Sequence, residues 1–287
     1  MLTPLNEMLA QAEQGNYAVI APDFSSLLIV TALIELAETH QAPLLISYAP
    51  VLKQCRDLKN YAQFIQVVLD AGRAASVPIG LHLDHGSTLD EIREAIDVGF
   101  TSVMMDASLE SWDVNVARTQ EAVTLAHAAG VHVEAELGHV AVGDKYISQA
   151  DKSDNVTHFT NPDQAAKFVE LTGVDALAVS VGTIHGSYRG EPNLQFDLLR
   201  KLQTQVPVPL VLHGGSGTGA DNIQQAVTLG IRKINVFSDL VRGVREEIKT
   251  AVSDETTGPI ELANAQRRAV NRVITPYLQM SRSVGKA

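Results

Sequence analysis

The chain has 287 residues, 45% of them hydrophobic and 19% charged, which is enough apolar material for a sizeable core and excludes an intrinsically disordered chain. A formal charge of −11 excludes the basic face that a nucleic-acid backbone or an anionic membrane surface would require. The single cysteine, Cys55, excludes an internal disulfide and any cysteine-based zinc site, and no apolar stretch reaches the roughly 18 residues of a spanning helix.

In chain order, residues 1–17 read as a polar amphipathic helix without the basic start and apolar middle of a signal peptide, which predicts a cytoplasmic protein. Eight short apolar runs follow at residues 17–22, 43–48, 78–83, 101–105, 131–137, 175–181, 208–212 and 232–237. Several are apolar almost throughout, as strands buried on both faces must be. Helical stretches separate them, among them residues 88–98 and 114–129, the latter closing at Gly130. With no linker or low-complexity tract, this alternation predicts one α/β domain over residues 1–287, a closed (β/α)8 TIM barrel. A doubly wound sheet would need a glycine-rich turn after the first strand, where the chain has Asp23-Phe24-Ser25-Ser26. Past about residue 241, two helical stretches flank residues 254–259. Together with the leading helix they read as additions to the eightfold pattern, either decoration or oligomer contacts.

In a barrel, reactive groups belong at the C-terminal ends of the strands. There the chain carries Asp84 and His85, then Asp106, then Glu136, then His185 and Gly186, then His213. Three of the nine histidines thus end three different strands. Neutral imidazoles are preferred zinc ligands, and three of them leave a position open for substrate. A single histidine there would more simply be a satisfied buried one. His40, His127 and His158 fall on helices or loops, His82 and His132 lie within strands, and His139 lies in the loop after strand five. Gly214, Gly215 and Ser216 after strand seven, with Asn235, Val236, Phe237 and Ser238 after strand eight, occupy the usual phosphate corner of such barrels. As a bare motif, the glycines would equally suit any tight turn. Asp84 suits a general base, or a cap for the helix over residues 87–98.

The ordered motifs His82-Leu83-Asp84-His85-Gly86, Met105-Asp106-Ala107-Ser108, Glu134-Ala135-Glu136-Leu137-Gly138, Gly182-Thr183-Ile184-His185-Gly186, Leu212-His213-Gly214-Gly215-Ser216-Gly217 and Lys233-Ile234-Asn235-Val236 resemble those of class II ketose-bisphosphate aldolases. Within that family the tagatose/fructose-bisphosphate branch is the most similar. The resemblance implies a zinc-dependent barrel that reversibly cleaves a ketose (bis)phosphate to dihydroxyacetone phosphate and an aldehyde through a zinc-stabilised enediolate. It implies that His85, His185 and His213 hold the catalytic Zn²⁺, that Asp84 is the acid/base, and that Asp106 and Glu136 form a second, buried metal position. It further implies that Gly186, Gly214–Ser216 and Asn235–Ser238 hold dihydroxyacetone phosphate, that a monovalent cation binds nearby, and that the protein is a homodimer or homotetramer. A Schiff-base aldolase would need a lysine at a strand's C-terminal end, and Lys233 stands at a strand start. The rival readings are a zinc hydrolase on a similar barrel and a non-catalytic sugar-phosphate-binding paralogue.

Departures from the family pattern cluster on the aldehyde side. The glycine pair after strand five is absent, which leaves Asp144 at the position of the mobile acid. The usual asparagine after strand one is Asp23, a frequent serine after strand two is Ala49, and the arginine that meets the aldehyde-end phosphate aligns with Thr257-Gly258-Pro259. Arg189 or Arg267 would have to replace it. These changes predict a preference for unphosphorylated or otherwise altered aldehydes.

Overall fold

Eight apolar runs separated by helices can bury both faces of each strand in a parallel sheet that closes on itself. In the computed structural model, which describes residues 1–141, 158–188 and 190–287, they do so. The strands are β1 (Val19–Pro22), β2 (Leu44–Tyr48), β3 (Ile79–Gly86), β4 (Ser102–Met105), β5 (His132–Leu137), β6 (Ala176–Val179), β7 (Leu210–Leu212) and β8 (Ile231–Val236). Each pairs in parallel with the next, and β8 returns to β1 with Ile20 opposite Ile234 and Pro22 opposite Val236.

Alternate strand residues enter two separate packing layers. Ile20, Leu44, Leu81, Val103, Val133, Leu177, Leu210 and Ile234 pack outward in the shell between strands and helices. Val19, Leu45, Met104, Ala176 and Val211 form a second cluster with Leu5, Met8, Leu9 and Ala12 of α1 (Leu5–Gly15). The leading helix therefore closes the N-terminal mouth of the barrel, with Thr3 donating to the Ile79 carbonyl at the start of β3. Further along the interior the residues become polar, and this layer leads up to the site.

The ring helices are α2 (Leu27–His40), α3 (Tyr61–Ala74), α4 (Leu89–Val98), α5 (Trp112–Ala128), α6 (Pro162–Thr172), α7 (Phe196–Gln205), α8 (Ala220–Thr228) and α9 (Ser238–Ala251). Several begin with side-chain caps, Ser26, Asn60, Ser111 and Asn161 among them. The cap of α4 is Thr88, in a reciprocal capping box with Glu91. Of the two C-terminal helices expected to be additions, α9 follows β8 directly and takes the eighth ring position. Only α10 (Pro259–Met280) lies beyond the ring, packed on α9 and α2. Among the described residues, no helix is long and apolar enough to cross a membrane.

Candidate active site

The C-terminal ends of the strands open into a cavity of about 530 Å³. Its walls include Asp23 after β1, Ala49 to Lys53 after β2, Asp84 and His85 of β3, Asp106, Glu136, His185 with Gly186, Gly214 with Ser216, and Asn235 with Phe237 and Ser238. Adjacent strand residues normally face opposite ways, yet Asp84 and His85 both reach this cavity. The cause is local. The register between β3 and β4 shifts between Leu83 and Gly86, and His85 takes a left-handed φ of 52°. Asp84 is buried and accepts a hydrogen bond from Asn235 Nδ2 at 2.8 Å. It does not cap α4, where Thr88 holds that position.

His85, His185 and His213 converge with their rings in mutual edge contact and centroids 4.7–5.8 Å apart. His85 Nδ1 meets Asp106 Oδ2 at 2.7 Å, which turns Nε2 toward His213 Nδ1 at 3.0 Å. His185 Nε2 is buried without a partner. Suitable nitrogens of all three lie within 4.8 Å of one another. A tetrahedral zinc with bonds of about 2.0–2.1 Å sets its nitrogens roughly 3.3 Å apart, so the His85–His213 pair already has a metal-like spacing and the donor set suits zinc once His185 closes on it. His85, Asp106 and Glu136 form a second group within the same limit.

The electrostatics divide these groups. Burial opposes the ionisation of Asp84, but His85, His213 and Lys233 outweigh it and hold the carboxyl below its usual range. Burial also opposes the charging of His85, and Asp84 and Asp106 overcome it, raising its pKa well above normal. For His185 burial and then His85 act together and push the pKa down to about 4, so its ring is neutral. Burial and then Asp106 lift Glu136 to about 8, so it must shed a proton before it can ligate. Asp23 is also pushed well above the carboxylate range, by burial and then Asp84. This weakens the repulsion expected of a charged Asp23.

The glycine corner is tightly packed. A Cβ on Gly214 would lie 2.4 Å from the Ile184 carbonyl oxygen, and Gly214 itself has a φ of 66°. Gly215 donates its amide to the Asn235 carbonyl at 3.1 Å, and Val236 packs outward against the helices; neither lines the cavity. Gly186, Gly214, Ser216, Asn235, Phe237 and Ser238 do, and the last two open α9 with its N-terminus toward the cavity. Asp144 and Arg189 lie outside the described residues. Arg267 pairs with Glu35 and is not in the cavity wall.

Residues that sequence reasoning left without a role occupy the interior beneath. Glu134 and Lys233 are wholly buried and ion-paired at 2.8 Å, so Lys233 directs its ammonium into the barrel and not into the cavity. His82 joins them, with Nδ1 2.8 Å from Ser102 Oγ. The available signal was strand parity: Glu134 precedes Glu136 by two residues, and Lys233 precedes Asn235 by two. His139, in the loop after β5, also lines the cavity.

The family description "Fructose-bisphosphate aldolase class-II" matches residues 3–286. The fructose-bisphosphate aldolase of Geobacillus stearothermophilus is 34% identical over 297 residues, covering 100% of this chain and 99% of the relative. That of Staphylococcus aureus strain Mu50 is 33% identical, over 95% of this chain and 94% of its own. The crystal structure of the YdjI aldolase from Escherichia coli K12 superposes with a TM-score of 0.88 at 32% identity, over 100% of both chains.

Proposed function

The chain belongs to the class-II fructose-bisphosphate aldolase family and is a carbon–carbon lyase, and from that premise we propose that it reversibly cleaves a ketose phosphate to dihydroxyacetone phosphate and an aldehyde. The whole of residues 1–287 acts as one catalytic domain. One observation carries the reading: His85 and His185 line a cavity with a buried carboxylate and a glycine-rich corner, and the buried His213 brings a third imidazole nitrogen within 4.8 Å of theirs.

His85, His185 and His213 would hold a zinc ion, and Asp106 and Glu136, with His85, a second position. When bound there, a divalent metal would supply Lewis-acid polarisation of the ketone oxygen and stabilisation of the charge left on the ketone half. Asp84 removes the proton of the C4 hydroxyl. As that oxygen's electrons form the aldehyde carbonyl, the C3–C4 pair passes to the ketone half. A second acid must then protonate C3, and Asp144 is the candidate for it. In condensation Asp84 returns its proton to the new hydroxyl. Asn235 holds the Asp84 carboxylate at 2.8 Å, and Gly186, Gly214, Ser216 and the start of α9 position the phosphate.

Metal removal tests this. Exhaustive chelation should abolish dihydroxyacetone phosphate-dependent aldol activity, and Zn²⁺ or Co²⁺ should restore it with one equivalent bound per chain. Full activity in the metal-free protein would overturn the reading.

A further inference from the structure

Beneath the three histidines, the barrel interior holds a buried charge network that the reaction above does not use. Lys233 Nζ lies 2.8 Å from Glu134 Oε2 and 3.0 Å from Oε1. The same Oε1 stands 2.8 Å from Nε2 of His213, and all three side chains are wholly buried. His82 Nε2 approaches Glu134 Oε2 only to 3.7 Å. Stability is a poor account of such a pair, because apolar residues of similar volume often replace buried ion pairs at no cost. Nor is this an open cation site. His82, Asp84 and Glu134 do form a ligand-like group, but the Lys233 ammonium already stands on Glu134.

What the network supplies is direction. A carboxylate paired with an ammonium only accepts hydrogen bonds, so the short contact to His213 requires the imidazole proton on Nε2. The lone pair is then on Nδ1, which faces His85 Nε2 at 3.0 Å, inside the histidine cluster.

We propose that Glu134 is a positioning residue for His213, fixing its Nε2–H tautomer and ring plane so that Nδ1 is presented to the metal position, and that Lys233 holds the Glu134 carboxylate in register. The proposal rests on the metal reading above only for its consequence. The tautomer itself belongs to the metal-free protein.

The experiment has two arms. In metal-free protein labelled with ¹⁵N-histidine, long-range ¹H–¹⁵N spectra, assigned with His213→Asn, should show His213 protonated at Nε2 alone. The paired replacement Glu134→Leu with Lys233→Met removes both charges at once and should turn that signal into a tautomer mixture. In the second arm, Co²⁺ titrated against its visible absorption should bind the paired variant roughly 10- to 100-fold more weakly, the usual effect of losing a histidine's outer hydrogen-bond partner. Glu134→Gln keeps an acceptor oxygen and should lie between the parent and the paired variant in both arms. It also serves as the test if the paired variant does not fold. A single Nε2–H tautomer in the variants, with Co²⁺ affinity within threefold of the parent, would refute the positioning role. Failure of the parent to bind Co²⁺ would refute the metal reading and leave the tautomer result to decide this proposal.

Discussion

Asp84 shows how much chemistry depends on one backbone irregularity. Were β3 regular at its end, either the aspartate or His85 would face away from the cavity. The register shift and the left-handed His85 bring both to it. Held ionised by His85, His213 and Lys233 despite its burial, Asp84 is a ready proton acceptor. Asp84→Ala should retain metal and dihydroxyacetone phosphate but lose about 10²–10⁴-fold in kcat, the usual scale of general acid–base catalysis. Turnover within a few-fold of the parent would move the base elsewhere. At this scale, legibility in the sequence followed position along the strand. His85, His185 and His213 stand out because strand ends gather reactive groups, whereas Glu134 and Lys233 lie mid-strand. There an interior charge is written like any other residue until its partner across the barrel is known. The left-handed turn at His85 is equally unreadable, since nothing in the letters Leu83 to Gly86 distinguishes a bulge from a plain strand.

Secondary-structure elements are more legible in this sequence than single residues. Strands buried on both faces are apolar runs bounded by helices, so all eight are visible, with most ends displaced by a residue or two and the end of β3 by three, where the strand continues through the polar Asp84 and His85 to Gly86. The assignment of α9 is the exception. Its pattern begins at Ser238, immediately on the catalytic rim, and one strong amphipathic helix after another looks the same whether it stands in the ring or outside it. The outer helix α10 nevertheless touches the site's support. Tyr277 lies 2.5 Å from Asp239 of α9 through its hydroxyl, which also accepts from the Gly217 amide at 3.3 Å. Asp239 accepts from the same amide at 3.0 Å and pairs with Arg242, which in turn donates to Ser187 beside Gly186 at 2.8 Å. The glycine corner, the start of α9 and the loop after β6 are thereby tied to one helix beyond the ring. Tyr277→Phe removes the hydroxyl without opening a cavity, and it should raise KM for dihydroxyacetone phosphate several-fold while kcat falls less than twofold. An equal fall in kcat with KM unchanged would show that the hydroxyl acts on the chemistry and not on the phosphate corner.

Across the whole molecule, the cavity spans the barrel mouth. The loops after β6, β7 and β8 form one side, and residues 49–53, Ser87 and Glu91 form the other. A ketose laid from the glycine corner across the histidines must extend its aldehyde half toward that second wall. There Pro50, Val51 and Leu52 are apolar, and Lys53 is the cation among the described lining residues. Neither Thr257 nor Gly258 reaches the cavity, and Arg267 is engaged with Glu35, so among the described residues no arginine fork awaits a second phosphate. A net charge of −11 adds no long-range attraction for a dianion. Losing a bidentate arginine contact to phosphate costs on the order of 1.5–3 kcal/mol, about 10- to 150-fold in affinity. A lone lysine restores part of this as a flexible point charge. Aldol addition of dihydroxyacetone phosphate to unphosphorylated aldehydes should therefore proceed at least as well as addition to glyceraldehyde 3-phosphate, measured as kcat/KM across an aldehyde panel at fixed dihydroxyacetone phosphate. A preference for glyceraldehyde 3-phosphate above about tenfold, worth roughly 1.4 kcal/mol, would mean that a phosphate subsite exists on the second wall. Lys53→Met would then show whether that lysine supplies it, by removing the preference while leaving the kinetics with unphosphorylated aldehydes in place.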